Sequence, residues 1–213
     1  MNKRSTKTVS ASPRVRTSSP ERLGTSAPEA VFLVGFMGAG KSSVGAALGR
    51  RLNWIFEDLD DRIERRERRT VAQIFRESGE PAFRRAERSA LHDVLEGIHN
   101  QARVVALGGG AFVQSGNAEL LKSSGVPIIF LDAPVEELWE RCCRQANEAA
   151  AERPLLRSLE QFRELHEQRR ANYSEASLTI ETGGRTVDEI ADEIAAKLGL
   201  KMLEHRSPQG DVE

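Results

Sequence analysis

The chain is short of cysteine, of aromatic residues and of long apolar runs, and each shortage narrows what it can be. Its two cysteines, Cys142 and Cys143, are adjacent. Neighbouring side chains on a helix diverge too far to be bridged easily, so reduced thiols in a cytosol-like compartment are expected rather than a disulfide framework. No CxxC or CxxH spacing accompanies them, which favours core packing over zinc. No run of about eighteen apolar residues occurs, and the N-terminus lacks the apolar core of a secretory signal. A cytoplasmic protein with no membrane partner is expected. Excess charge of one sign is missing too: the formal net charge is -1 over 213 residues and the pI is near 6.5. No basic field is left to drive nucleic-acid binding, so small molecules become the expected partners. His92, His99, His166 and His205 are scattered without ligand or triad spacing and are assigned no chemistry.

What is present divides into three stretches. Residues 1–28 are rich in Ser, Thr and Pro and carry Lys3, Arg4, Lys7, Arg14, Arg16 and Arg22 against the single acid Glu21. Such a composition cannot offset ordering entropy, so a disordered tail is expected, with an organelle transit peptide as the alternative reading. Residues 204–213 are likewise polar. Between them, 29–203 form one domain in which short apolar runs alternate with amphipathic stretches. The runs are Val31 to Val34, Trp54 to Phe56, Val104 to Leu107, Val126 to Leu131 and Leu178 to Ile180, and each reads as a buried strand. Val44 to Leu52, Pro134 to Arg144 and Val187 to Leu198 show helical spacing. Strands alternating with helices predict right-handed crossovers and a parallel five-stranded sheet with helices on both faces. A monomer is expected.

Directly after the first apolar run comes Gly35-Phe36-Met37-Gly38-Ala39-Gly40-Lys41-Ser42, which fits G-x-x-x-x-G-K-[ST] between a strand and a helix. Glycines let successive N–H groups face inward, and the helix that follows adds its positive end. Lys41, expected in a solvent-facing loop, reaches the outer phosphates, and the Ser42 hydroxyl is suited to Mg²⁺. Gly38, Ala39, Gly40, Lys41, Ser42 and Ser43 are the candidate nucleotide contacts, although Ser43 also reads as mere continuation of the helix. The cradle serves kinases, GTPases and motor ATPases alike. The guanine-reading Asn-Lys-x-Asp signature is absent, and the chain is short for a motor.

The acceptor side is less explicit. Glu57-Asp58-Leu59-Asp60 ends the second strand and puts two carboxylates at the sheet's carboxyl end, where open α/β sheets bind ligands. One could hold Mg²⁺ through water and the other act as a base, or the Asp could simply cap a helix; spacing alone leaves both open. Arg62, Arg65, Arg66, Arg68 and Arg69, interleaved with Glu64 and Glu67, read as a solvated, self-paired helix face. Phe75 and Phe83 read as core or as walls of an acceptor pocket.

Further motifs follow in order: Gly79-Glu80-Pro81-Ala82-Phe83-Arg84 opening a long helix, Gly108-Gly109-Gly110 after the third strand, Arg153-Pro154-Leu155-Leu156, and Arg169 with Tyr173. Taken together over roughly residues 30 to 200, the chain resembles the shikimate kinases. The resemblance implies a nucleoside-monophosphate-kinase-like P-loop fold with a mobile lid, and transfer of the γ-phosphoryl group of ATP to the 3-hydroxyl of shikimate on the way to chorismate. It implies Asp58 and Ser42 at the Mg²⁺ site and Asp60 as hydroxyl-binding base. Arg84 and Arg169 would clamp the shikimate carboxylate, and Gly108, Gly109 and Gly110 would let backbone approach the ring. Arg153 would sit in the lid and reach the transferring phosphates, and Arg141 would pack on adenine. The chain departs from the pattern at Arg170-Ala171-Asn172, where many members have Pro-Leu before the Tyr, and at 145–152, longer than the usual lid approach. A kinase for another small hydroxylated acceptor, such as gluconate, and a non-catalytic ligand-binding module are the competing expectations.

Overall fold

A computed structural model describes residues 28–149 and 158–203. Five strands, β1 (Ala30–Val34), β2 (Ile55–Asp58), β3 (Arg103–Ala106), β4 (Ile128–Asp132) and β5 (Leu178–Glu181), form one sheet in the order β2-β3-β1-β4-β5, with every pairing parallel. Every residue of β1 and β4 is buried. Successive strand residues point to opposite faces, so helices cover both sides there. The outer strands differ from expectation: β2 and β5 are largely half-buried or exposed, because each is an edge with a neighbour on one side only. Ile55, read as buried from its apolar run, is 39% exposed for that reason.

The helices are α1 (Lys41–Leu52), α2 (Leu59–Glu67), α3 (Val71–Glu96), α4 (Ser115–Ser123), α5 (Val135–Ala149), α6 (Leu159–Tyr173) and α7 (Val187–Lys197). Capping boxes start α3 at Thr70 with Gln73 and α7 at Thr186 with Glu189, satisfying amides that have no partner within the helix. Gly79, at φ 75 and ψ 171, breaks α3, a conformation open to glycine alone. Pro81 then falls in the first turn of the second half, where its missing N–H does no harm, so the Gly79–Arg84 segment does open a long helix. The arginine-rich face of α2 behaves differently from its sequence reading. Arg62 pairs with Glu57 on β2, Arg66 with Asp93 on α3, and Arg69 with both Glu67 and Glu77. Most of these charges tie α2 to its neighbours instead of pairing along it. Among the described residues no helix is long and apolar enough to cross a membrane. The expected tails, 1–28 except for Pro28 and 204–213, and the lid motif at Arg153, lie outside the described residues.

Candidate functional site

Strand register brings the sequence motifs together. In the sheet, Asp58 of β2 lies beside Ala106 of β3, and Ala106 beside Leu33 of β1. Just past the strand ends, Asp60 abuts Gly108, and a Cβ on Gly109 would lie 3.8 Å from the Gly35 carbonyl oxygen. The cradle, the carboxylates and the glycine run therefore leave the sheet at one edge, as the carboxyl ends of parallel strands must. A cleft of about 230 Å³ opens there, lined among others by Gly38, Gly40, Lys41, Ser42, Ser43, Asp58, Asp60, Gly108 and Gly109.

Within the cradle, Gly38 and Gly40 hold φ of 80 and 90, a region costly for any residue with a Cβ. A Cβ on Gly38 would come 2.7 Å from the Leu138 carbonyl oxygen and 3.0 Å from Cys142 Sγ, so α5 packs hard against the loop. Cys142 is buried there, as its reading as a packing residue required. Lys41, expected in a solvent-facing loop, is half-buried in the wall of the cleft. It is the first residue of α1, and its Nζ donates to the carbonyls of Gly35 and Phe36 at 3.0 Å each. The ammonium thereby closes the loop on itself. Burial lowers its pKa, against the opposing pull of Asp60 and Asp58. Ser42 and Ser43 are exposed on the first turn of α1, and Ser42 Oγ donates to Asp58 Oδ2 at 2.7 Å.

Asp58 bears out the helix-cap reading and leaves its second oxygen facing the cradle. Its Oδ1 accepts from the Asp60 N–H at 3.0 Å as the cap of α2, while Oδ2 points to Ser42. An oxygen pair of this kind, one carboxylate and one hydroxyl at the cradle's mouth, fits a hard cation that keeps water and phosphate oxygens as its other ligands. Among the described residues no cluster of His, Cys, Asp and Glu forms an all-protein cage.

Asp60 is the reverse case. Its Oδ1 is buried without a hydrogen-bond partner among the described residues, a condition that ordinarily costs on the order of 1–3 kcal/mol or more for a charged group. Burial, then the carboxylates of Asp58 and Glu87, push its pKa from 3.8 to about 6, with Lys41 opposing. The adjoining glycine triplet explains how so many groups converge. A Cβ on Gly108 would lie 2.7 Å from Asp60 Oδ1, and one on Gly110 2.7 Å from Arg84 Nη1. Arg169 Nη1 donates to the Gly109 carbonyl at 3.2 Å. Each glycine thus abuts one acceptor candidate. Arg84 and Arg169 do not line the cleft themselves; Arg169 meets it through Gly109, and Arg84 stands one residue further, against Gly110.

Arg84 is held by Glu80 at 2.9 Å and by Glu87 at 3.0 Å. Glu87 is fully buried, and burial raises its pKa despite the pull of Arg84. Sequence reasoning missed Glu87, because a Glu three residues after an Arg on a helix looks like any surface pair. Phe83 is buried and Phe75 38% exposed, their rings 4.8 Å apart, with the Arg84 guanidinium 5.2 Å from the Phe83 ring centre. On α6, Phe162 and His166 stack edge-on against Phe36 of the cradle at 4.9 and 5.3 Å, and Arg169 lies 5.8 Å over the same ring. Arg170, just before the departure at Ala171-Asn172, donates to the buried carboxylate of Asp132 at 2.8 Å. Arg141 of α5 reaches the carbonyls of Gly38 at 3.3 Å and Thr182 at 2.9 Å, joining the cradle to the loop after β5. One turn on, Gln145 lines the cleft, another residue that sequence reading did not single out. The helix continues to Ala149, so much of the long lid approach is an extension of α5.

Comparison with known proteins gives the constellation a family. The shikimate kinase family model matches residues 37–199. The chain is 40% identical over 174 residues to a shikimate kinase of Cereibacter sphaeroides, covering 80% of this chain and 83% of that one. It is 38% identical over 169 residues to that of Persephonella marina, covering 79% and 98%. The crystallised shikimate kinase of Acinetobacter baumannii in complex with shikimate superposes with a TM-score of 0.71 at 36% identity, over 81% of this chain and 93% of that one. With a match extending from the cradle to beyond the last helix, this chain belongs to the shikimate kinase family.

Proposed function

We propose that the chain transfers the γ-phosphoryl group of ATP to the 3-hydroxyl of shikimate, giving shikimate 3-phosphate and ADP. The observation that carries this reading is Asp60 Oδ1, a buried acceptor without a donor, set against Gly108 in the cleft that also contains the cradle. A substrate hydroxyl is the donor it lacks. In the ionised form Asp60 takes that hydroxyl's proton as the oxygen attacks phosphorus, and the raised pKa makes it a stronger base than an exposed aspartate.

Lys41 leaves the carbonyls of Gly35 and Phe36 for the β- and γ-phosphates, exchanging two neutral acceptors for charged ones. Ser42 and Asp58 would hold Mg²⁺, which when bound would neutralise charge on the transferring phosphates. Arg84 beside Gly110 and Arg169 beside Gly109 present guanidinium forks to the acceptor carboxylate. Arg141 lines the adenine end beside Gly38; Arg153, outside the described residues, is assigned to the transferring phosphates by the family pattern alone.

A coupled assay with ATP, Mg²⁺ and shikimate tests the reading, with gluconate and nucleoside monophosphates as competing acceptors. Saturable ADP production with shikimate is expected. Turnover on another polyol acid and none on shikimate would overturn the substrate assignment, and ligand binding without turnover on any acceptor would make the chain a binding module.

A further inference from the structure

The acceptor loop has a second tether that the roles above do not use. The Tyr173 hydroxyl, at the last residue of α6, donates to the Gly109 carbonyl oxygen that also receives Arg169 Nη1. One turn of helix separates the two donors, so both reach the same oxygen from the same side. No peptide in the described residues is cis, and in a trans peptide the C=O and the following N–H point in opposite directions. Holding the Gly109 carbonyl toward α6 therefore turns the Gly110 N–H away from α6. That N–H has no acceptor among the described residues.

We propose that Tyr173 is a positioning residue for the acceptor: by fixing the Gly109 carbonyl, its hydroxyl aims the Gly110 N–H at the bound acceptor and steadies Arg169 beside it. This rests on the acceptor site as assigned above. The ring itself packs in the core, 1% exposed and 5.3 Å from Phe130, so a purely structural tyrosine would need only its ring. The hydroxyl is the part that reaches the loop, and burial pushes its pKa up to about 12, which keeps it a donor at any working pH.

The Tyr173→Phe variant keeps the ring and deletes the tether. With whichever acceptor the wild-type enzyme phosphorylates, acceptor KM should rise about threefold to tenfold, the range of one hydrogen bond, while kcat and ATP KM stay within about twofold. An unchanged acceptor KM, or equal rises in both KM values, would overturn the proposal while leaving the wild-type activity and its substrate assignment standing. Tyr173 is also the chain's sole tyrosine, so 3-fluorotyrosine labelling gives one ¹⁹F resonance. Acceptor alone should shift that resonance and ADP alone should not; the opposite pattern counts against the tether.

Discussion

The nucleotide end and the acceptor end of the cleft are built by different means. The cradle is one contiguous stretch, Gly35 to Ser43, whose Lys41 and Ser42 already have partners within the loop or on Asp58. The acceptor end gathers Asp60, Arg84, the glycine triplet and Arg169 from four separate segments, and leaves one of its oxygens without a donor among the described residues. A self-satisfied end can be stable before its ligand arrives. An end with a buried, unpaired carboxylate is held less comfortably until a substrate completes it, and changes at the two ends should therefore have opposite effects on stability.

The largest effect is expected at Asp60. Asp60→Asn should lower kcat by about 10² to 10⁴, the usual worth of a general base, with ATP affinity kept. The same change should raise the Tm of the ligand-free protein. The sign follows from linkage: the folded pKa, about 6, lies above the unfolded 3.8, so the contribution of this group to stability is full below pH 3.8 and lost as pH rises through 6. At pH 7 the buried charge costs roughly 2–3 kcal/mol, which the amide removes. A fall in Tm, or an equal loss of ATP binding, would break the contrast between the two ends. Lys41→Ala should cut kcat by about 10² to 10³, as loss of a preorganised transition-state donor does, and should not raise Tm, because it removes satisfied bonds. Arg84→Lys should raise acceptor KM by an amount equivalent to about 1–3 kcal/mol, since an ammonium cannot offer the fork; an unchanged KM would remove Arg84 from the acceptor site. The smallest effect is in the pH profile. Wild-type kcat/KM should fall on the acid side of about pH 6 as Asp60 takes up its proton, and the limb should vanish in the Asp60→Asn residue that still turns over.

The difference between the two ends also governs what could be read from sequence. The cradle was legible because all its parts lie within one motif, and the interior strands because Val31 to Val34 and Val126 to Leu131 are unbroken apolar runs. The same rule overstated β2 and β5, since a run of apolar residues does not say which strand has only one neighbour. Lys41 was placed toward solvent because the motif names its ligand and not its partners when the loop closes on itself. Asp58 looked like a choice between cap and metal ligand; one oxygen caps α2 and the other is left facing Ser42, so the two readings do not exclude each other. At the acceptor end, Arg84, Arg169 and the triplet were picked out only through the family pattern, as their convergence depends on register between strands far apart in sequence. Glu87 escaped altogether, because burial and not residue type sets it apart from the chain's other Glu-Arg pairs.

The sheet order places these two ends on unequal foundations. The cradle rises from β1, which is flanked by β3 and β4, whereas Asp58 ends and Asp60 follows β2, an outermost strand paired with β3 alone. Strands at a rim detach by local opening at lower free energy than those at the centre. Under mild denaturant the molecule should therefore lose its hydroxyl-activating carboxylate before its grip on phosphate. Catalysis would then fail first, in a protein that still retains nucleotide and most of its sheet.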